Sequence, residues 1–143
     1  MKINEGIYLV GSGGAGCMIS NSVDCHVYLI ESSEGHALID AGVGLEVERV
    51  IDNIKKEGLD PQDINHLFLT HTHADHAGST KALKDMLGLK VYVSKAEAHL
   101  LRSSDLMDQG LDVAIIDGIY PQGYKFPNCE PDVELNGGET INI

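Results

Sequence analysis

Basic residues are scarce in this chain: 10 Lys and Arg stand against 22 Asp and Glu, a formal net charge of −12. A surface of that sign repels phosphate backbones and offers no basic face to anionic lipid, which argues against a nucleic-acid binder and against membrane attachment. Long apolar runs are missing as well. No stretch approaches the ~18 residues that a membrane-spanning helix needs. The opening MKINEGIYLVG has one Lys and a short apolar run, too little for a secretory signal core. Cysteine is sparse: Cys17, Cys25 and Cys129 are odd in number and lack CxxC spacing, so no disulfide framework is spelled out. Reduced thiols and a cytoplasmic location are the expectation.

What is present fits one domain with one core: 143 residues, 43% of them hydrophobic. GIYLVG reads as a strand followed by a glycine-rich loop, and HVYLIE and HALIDAG as a hairpin turning at SSEG. LEVERVIDNIKKEG puts Val47, Val50, Ile51 and Ile54 at helical spacing, with Gly58 placed to end the helix. DPQDI predicts a turn capped by Asp60 with Pro61 at its first position. HLFLT has the continuous apolarity of a strand buried on both faces. STKALKDMLG returns to helical spacing through Leu83, Met86 and Leu87, KVYVS is a further strand, and KAEAHLLRS a short helix. Beyond Ser104 periodicity weakens; PQGYKFPNCEPD reads as an irregular surface segment, and VELNGGETINI as a closing hairpin around Asn-Gly. Strands first, then strands alternating with helices, predict an α/β fold with a mixed β-sheet and flanking helices.

Chemistry concentrates in one place. In LFLTHTHADH a buried strand gives way to His71, His73, Asp75 and His76. Residues two apart on an extended segment point the same way, so His71 and His73 can converge, and the turn through Ala74 brings Asp75 and His76 to a neighbouring point. Imidazole and carboxylate are ordinary zinc ligands, and two such points suit a metal pair spaced ~3.5–4 Å. Small neighbours (Thr72, Ala74, Ala77, Gly78) let backbone and metal approach closely. The pattern would arise by chance in roughly one such chain in a thousand.

HTHADH resembles the HxHxDH signature of the metallo-β-lactamase superfamily of hydrolases, and LIDAG is similar to that family's early strand end, with Asp40 in a supporting position. The resemblance implies that His71 and His73 bind a first metal and Asp75 and His76 a second, zinc by default with iron or manganese as alternatives. It implies a metal-bound hydroxide, oriented in part by Asp75 as a catalytic residue, attacking a thioester, lactone or similar small ester. It also implies an αββα sandwich of two similar halves, of which residues 1–143 are expected to form the first, as a single partial domain. The family's remaining ligands come from its second half. After His76 the chain has one further histidine, His99, in a helical pattern. Two protein ligands per metal fall below the three usual for catalytic zinc. The alternative expectation is therefore a non-catalytic or truncated half-domain, completed by a partner chain or by a homodimer that covers an exposed apolar sheet face.

Other features carry less. GSGGAG at residues 11–16 matches GxGxxG after a strand, but nine residues on the chain is back in a strand, leaving no room for a dinucleotide-binding helix. A flexible hairpin loop at the rim of the site is the expectation. His26 and His36 read as strand-edge residues, His66 as a hydrogen-bonded residue at a strand start, His99 as a helix residue, and Asp24 and Cys25 as residues that can face the site.

Overall fold

The computed structural model describes residues 1–103, 105, 107, 108 and 110–143. Seven strands form one sheet in chain order: β1 (Lys2–Asn4), β2 (Ile7–Gly11), β3 (Val27–Ser32), β4 (Gly35–Ile39), β5 (Ile64–Phe68), β6 (Lys90–Ser94) and β7 (Val133–Leu135). Neighbours from β1 to β4 are antiparallel, and those from β4 to β7 are parallel. The switch follows from the connections. Two-residue turns join β1 to β2 and β3 to β4, and a longer helix-free loop that includes the glycine-rich segment joins β2 to β3. The parallel pairs instead need crossovers, which carry α1 (Val47–Lys56), then α2 (Ala74–Ala77) and α3 (Thr80–Leu87), then α4 (Ala98–Arg102) and α5 (Leu111–Ile116).

Alternation along the strands decides which face holds the core. Leu29, Leu38, Leu67 and Val91 lie side by side in register and are fully buried, and Val47, Val50, Ile51 and Ile54 of α1 and Leu83 of α3 are buried with them. Each such side chain contributes about 1.5–3 kcal/mol. Helix α1 ends before Gly58, and α3 ends on Gly88 in the left-handed conformation, as their sequences predict. The turn at Pro61–Asp63 is a 3-10 helix whose Asp60 carboxylate accepts the Gln62 N–H at 2.9 Å.

The opposite face carries the row Tyr28, Ile39, Phe68 and Tyr92. Phe68 and His66 are only half buried, so β5 is not enclosed on both faces as its apolar run suggested. The Phe68 and Tyr92 rings stack at 4.4 Å between centroids, and His66 Nδ1 lies 3.0 Å from the Tyr92 hydroxyl. Total accessible surface is 7247 Å², against about 7,200 Å² expected of a compact protein of this mass. The irregular segment after α5 packs inward. Tyr124, Phe126 and Cys129 there are buried, so it is irregular in backbone yet no mere surface loop.

Four further elements differ from expectation. β1, all exposed, has no apolar pattern to announce it. α5 starts from Gly110 in a left-handed conformation and is too short to show a period. Met86 on α3 is exposed where burial was expected. The closing hairpin is absent among the described residues: β7 pairs with β6 alone, and the Glu139 carboxylate takes the N–H groups of Asn136 and Gly137, closing a turn instead of a strand pair. Ser32 Oγ then donates to the Ile143 carbonyl at 2.7 Å. No disulfide forms among the described residues, and no described helix is long and apolar enough to cross a membrane.

Candidate metal centre

The parallel strands β4 and β5 both end at one edge of the sheet, and the chemistry-bearing side chains collect there. Beyond β4, Asp40 adopts a left-handed backbone (φ 62°) and is only 3% exposed. Its N–H is held by the Phe68 carbonyl, which fixes it against the end of β5. The carboxylate accepts the Thr70 N–H at 2.8 Å, the Thr70 hydroxyl at 2.8 Å and His76 Nδ1 at 2.8 Å.

These bonds set the tautomers of two imidazoles. His76 donates from Nδ1 to Asp40, which leaves Nε2 bare and 3.4 Å from Asp75 Oδ2. Thr70 spends its proton on Asp40, so its oxygen accepts from His71 Nδ1 at 3.1 Å, and His71 Nε2 is bare as well. Ring centroids of His71 and His76 are 4.0 Å apart, and those of His71 and His73 are 4.7 Å apart. His71 is therefore in ring contact with both His73 and His76, with His71 and His73 lining one cleft and His76 and Asp75 another. Local backbone accounts for it: His73 is the extended residue that opens α2, the N–H groups of His76 and Ala77 return to its carbonyl, and the Ala41 N–H binds the His76 carbonyl at 2.7 Å.

Electrostatics follow the same geometry. Burial lowers the His71 pKa, helped by the neighbouring His76 and His73, so its imidazole stays neutral and able to donate a lone pair. Burial also pulls on His76, but the hydrogen bond to Asp40 and the charges of Asp40 and Asp75 outweigh it and raise its pKa. Thr72, between the two outer histidines, donates both its N–H (2.9 Å) and its hydroxyl (2.7 Å) to Glu97, and these bonds hold the Glu97 carboxyl below its usual range. Burial pushes the Tyr120 phenol up to about 12, with Asp75 next in importance as a charge and as its hydrogen-bond partner.

A cleft of about 420 Å³ opens beside this group, lined by Ala15 and Gly16 of the glycine-rich loop and by Asp24, Cys25, His26, Tyr28, Asp40, Asp75 and His76. The loop thus does form a rim of the site. It is internally bonded, with Gly13 and Gly14 N–H groups on the Asp24 and Ser22 carbonyls and Ser12 N–H on Ser20 Oγ, and no helix opens at Gly16. A second cleft of about 310 Å³ has His71, Thr72, His73 and Glu97 along its wall.

Of the residues singled out from sequence, His71, His73, Asp75 and His76 come together with Asp40 behind them. Asp24 and Cys25 line the cleft, and His26 stands at its mouth, nearer the site than a strand-edge residue should be. His36 is buried, with Nδ1 3.4 Å from the Ser32 N–H, His66 is bonded to Tyr92, and His99 is an exposed residue of α4. Glu97 and Tyr120 went unnoticed in the sequence because neither lies near the histidines along the chain.

The family model of the metallo-beta-lactamase superfamily matches residues 21–142. The chain belongs to that superfamily. Among superfamily relatives, the uncharacterized protein YobT of Bacillus subtilis (strain 168) is 32% identical over 83% of this chain and 48% of its own length. An N-acyl homoserine lactonase of a Bacillus species is 26% identical, over 65% of this chain and 47% of its own. Among solved superfamily structures, the metallo-beta-lactamase GOB-18 from Elizabethkingia meningoseptica superposes with a TM-score of 0.78 at 27% identity, over 100% of this chain and 46% of that one. A metallo-beta-lactamase of Cronobacter sakazakii gives 0.76 at 25% identity, over 100% and 50%. The chain spans about half the length of the relatives it matches.

Proposed function

We propose that this chain is the first half of a metal-dependent hydrolase of the superfamily, acting on a lactone, thioester or similar small ester, with zinc as its metal and iron or manganese as alternatives. The observation that carries the reading is the contact of the His71 ring with those of His73 and His76, with His76 anchored through Nδ1 on Asp40 and facing Asp75 through Nε2. The donors fit a cation: neutral imidazole and carboxylate are what zinc takes, and Asp40 and Thr70 supply the outer hydrogen bonds that orient ligating histidines. His71 and His73 would hold one ion, and Asp75 and His76 a second. Bound there, such ions polarise a carbonyl and bring the pKa of water to near ~7.

The chain's own residues do the rest. Asp40 keeps the Nδ1 proton on His76, Thr70 keeps it on His71, and Glu97 clamps the backbone between His71 and His73. Asp75, held by Tyr120, presents a carboxylate oxygen at the cleft, placed to orient a water proton. Leu111, Ala114, Ile119 and Tyr120 line a neighbouring hollow of about 300 Å³ that also reaches His73 and Asp75. Its apolar wall suits the acyl part of an ester, the substituent that the relatives named as N-acyl homoserine lactonases act beside.

Zinc titration of the purified chain, followed by turnover of an N-acyl lactone, a thioester and a phosphodiester, tests this reading. His71→Ala and His73→Ala should each weaken zinc binding by tenfold or more and abolish any ester turnover. Zinc affinity unchanged in both variants would sink it. Zinc uptake without turnover of any substrate would favour the second reading that half-length coverage supports, a metal-binding half-domain completed by a partner chain or a second copy.

A further inference from the structure

Cys25 has no part in the ligand scheme above, yet it stands inside the cleft. We propose that its sulfur is a metal ligand: Cys25, Asp40 and His76 together form a thiolate–carboxylate–imidazole site for a thiophilic divalent cation of the zinc or iron(II) class. The inference rests on the metal-centre reading and deepens it, because it gives this chain three protein donors for one ion without any second half.

Three observations support the assignment. One donor atom from each of Cys25, Asp40 and His76 lies within 4.8 Å of the other two. Ligand atoms on one zinc, with bonds of ~2.0–2.3 Å, stand at most ~4.6 Å apart, so a small closing rotation brings the three into range. The thiol is held by weak contacts, a long one of 3.4 Å to the His26 carbonyl and a hydrogen bond from the Gly42 backbone, which a metal can replace. Its backbone, by contrast, is fixed. The Cys25 N–H binds the Asp75 carbonyl at 3.1 Å, and the preceding Asp24 carboxylate takes the Val43 N–H at 2.7 Å, tying this turn to the segment that follows Asp40.

Charge argues the same way. Asp24, Asp40 and Asp75 all line the cleft, and no Lys or Arg does so among the described residues. His76 is the basic group beside Asp40 and Asp75, and three carboxylates around one imidazole leave an excess of negative charge that a bound cation offsets. On binding, the thiol proton leaves to solvent and the sulfur lone pair takes its place on the metal, with no change of oxidation state. A thiolate in the set selects zinc, cobalt or iron(II) over magnesium and manganese.

Cobalt(II) titration of the whole chain, read by absorption and by metal content, gives the test. The wild type should show a thiolate-to-cobalt charge-transfer band that survives Cys17→Ser and disappears in Cys25→Ser. Zinc affinity should fall tenfold or more in Cys25→Ser, narrowing its margin over manganese. Cobalt bound without that band, or a band persisting in Cys25→Ser, overturns the thiolate site and leaves the histidine centre standing; no cobalt uptake overturns both. Should Cys25→Ser misfold by circular dichroism, alkylation of the wild type decides. Zinc must slow modification of Cys25 but not of the exposed Cys17, and equal rates at Cys25 with and without zinc overturn the proposal.

Discussion

Gly78→Ala is expected to lower folding stability by about 3 kcal/mol, more than one methyl group usually costs. A Cβ at Gly78 would be driven into the Val43 carbonyl and would lie 2.6 Å from the Ala74 carbonyl oxygen. Both obstacles are backbone, so no rotamer change relieves them. Gly44 meets the same contact from the other side, where a Cβ would sit 2.6 Å from the Gly78 oxygen. The close approach joins the end of α2, which carries His76, to the segment leaving Asp40. Separating them must therefore loosen the 2.8 Å bond between Asp40 and His76. Denaturant unfolding should show a lower midpoint with an unchanged slope. A midpoint equal to wild type would mean that the contact is softer than it stands here.

Asp40→Ala is expected to weaken metal binding by at least 10–100-fold, the usual effect of losing a residue that orients a ligating histidine, to which the thiolate site adds the loss of a donor. It leaves the Thr70 N–H, the Thr70 hydroxyl and His76 Nδ1, all part-buried, without their common acceptor. Such orphaned donors cost about 1–3 kcal/mol each when water cannot reach them. His76 also loses the bond that fixes its tautomer, so Nε2 is bare only part of the time. Asp40→Asn should fall between, since its amide keeps one acceptor oxygen and tolerates the left-handed backbone. Zinc affinity measured by chelator competition checks both variants. Binding by Asp40→Ala as tight as wild type would show that the histidines orient themselves without help.

The histidine cluster was legible because its members fall within six consecutive residues and obey local geometry: an extended pair, then one turn of helix. Asp40 was legible through its strand-end position, though nothing in LIDAG announces a left-handed aspartate. Glu97 and Tyr120 were not, because crossovers bring them to the site and local periodicity carries no record of crossovers. The helices were read well where glycine stops and apolar spacing agreed, as in α1 and α3. β7 was misread because the Asn-Gly pair looks the same whether a second strand follows or, as here, a glutamate closes the turn. Half-burial of His66 and Phe68 was hidden for a similar reason: an apolar run states what a strand can bury, not what covers it.

The order of the strands has a consequence for assembly. β1 to β4 pair with their sequence neighbours, so that half of the sheet can form from nearby contacts. Asp40 and His76 meet only after the α1 crossover has closed and α2 has turned, 36 positions later. No nascent hairpin can grip a cation, which makes the ion a late arrival that finds a finished cradle. Zinc should accordingly slow the departure from the native state and leave the rate of reaching it unchanged, a latch rather than a nucleus.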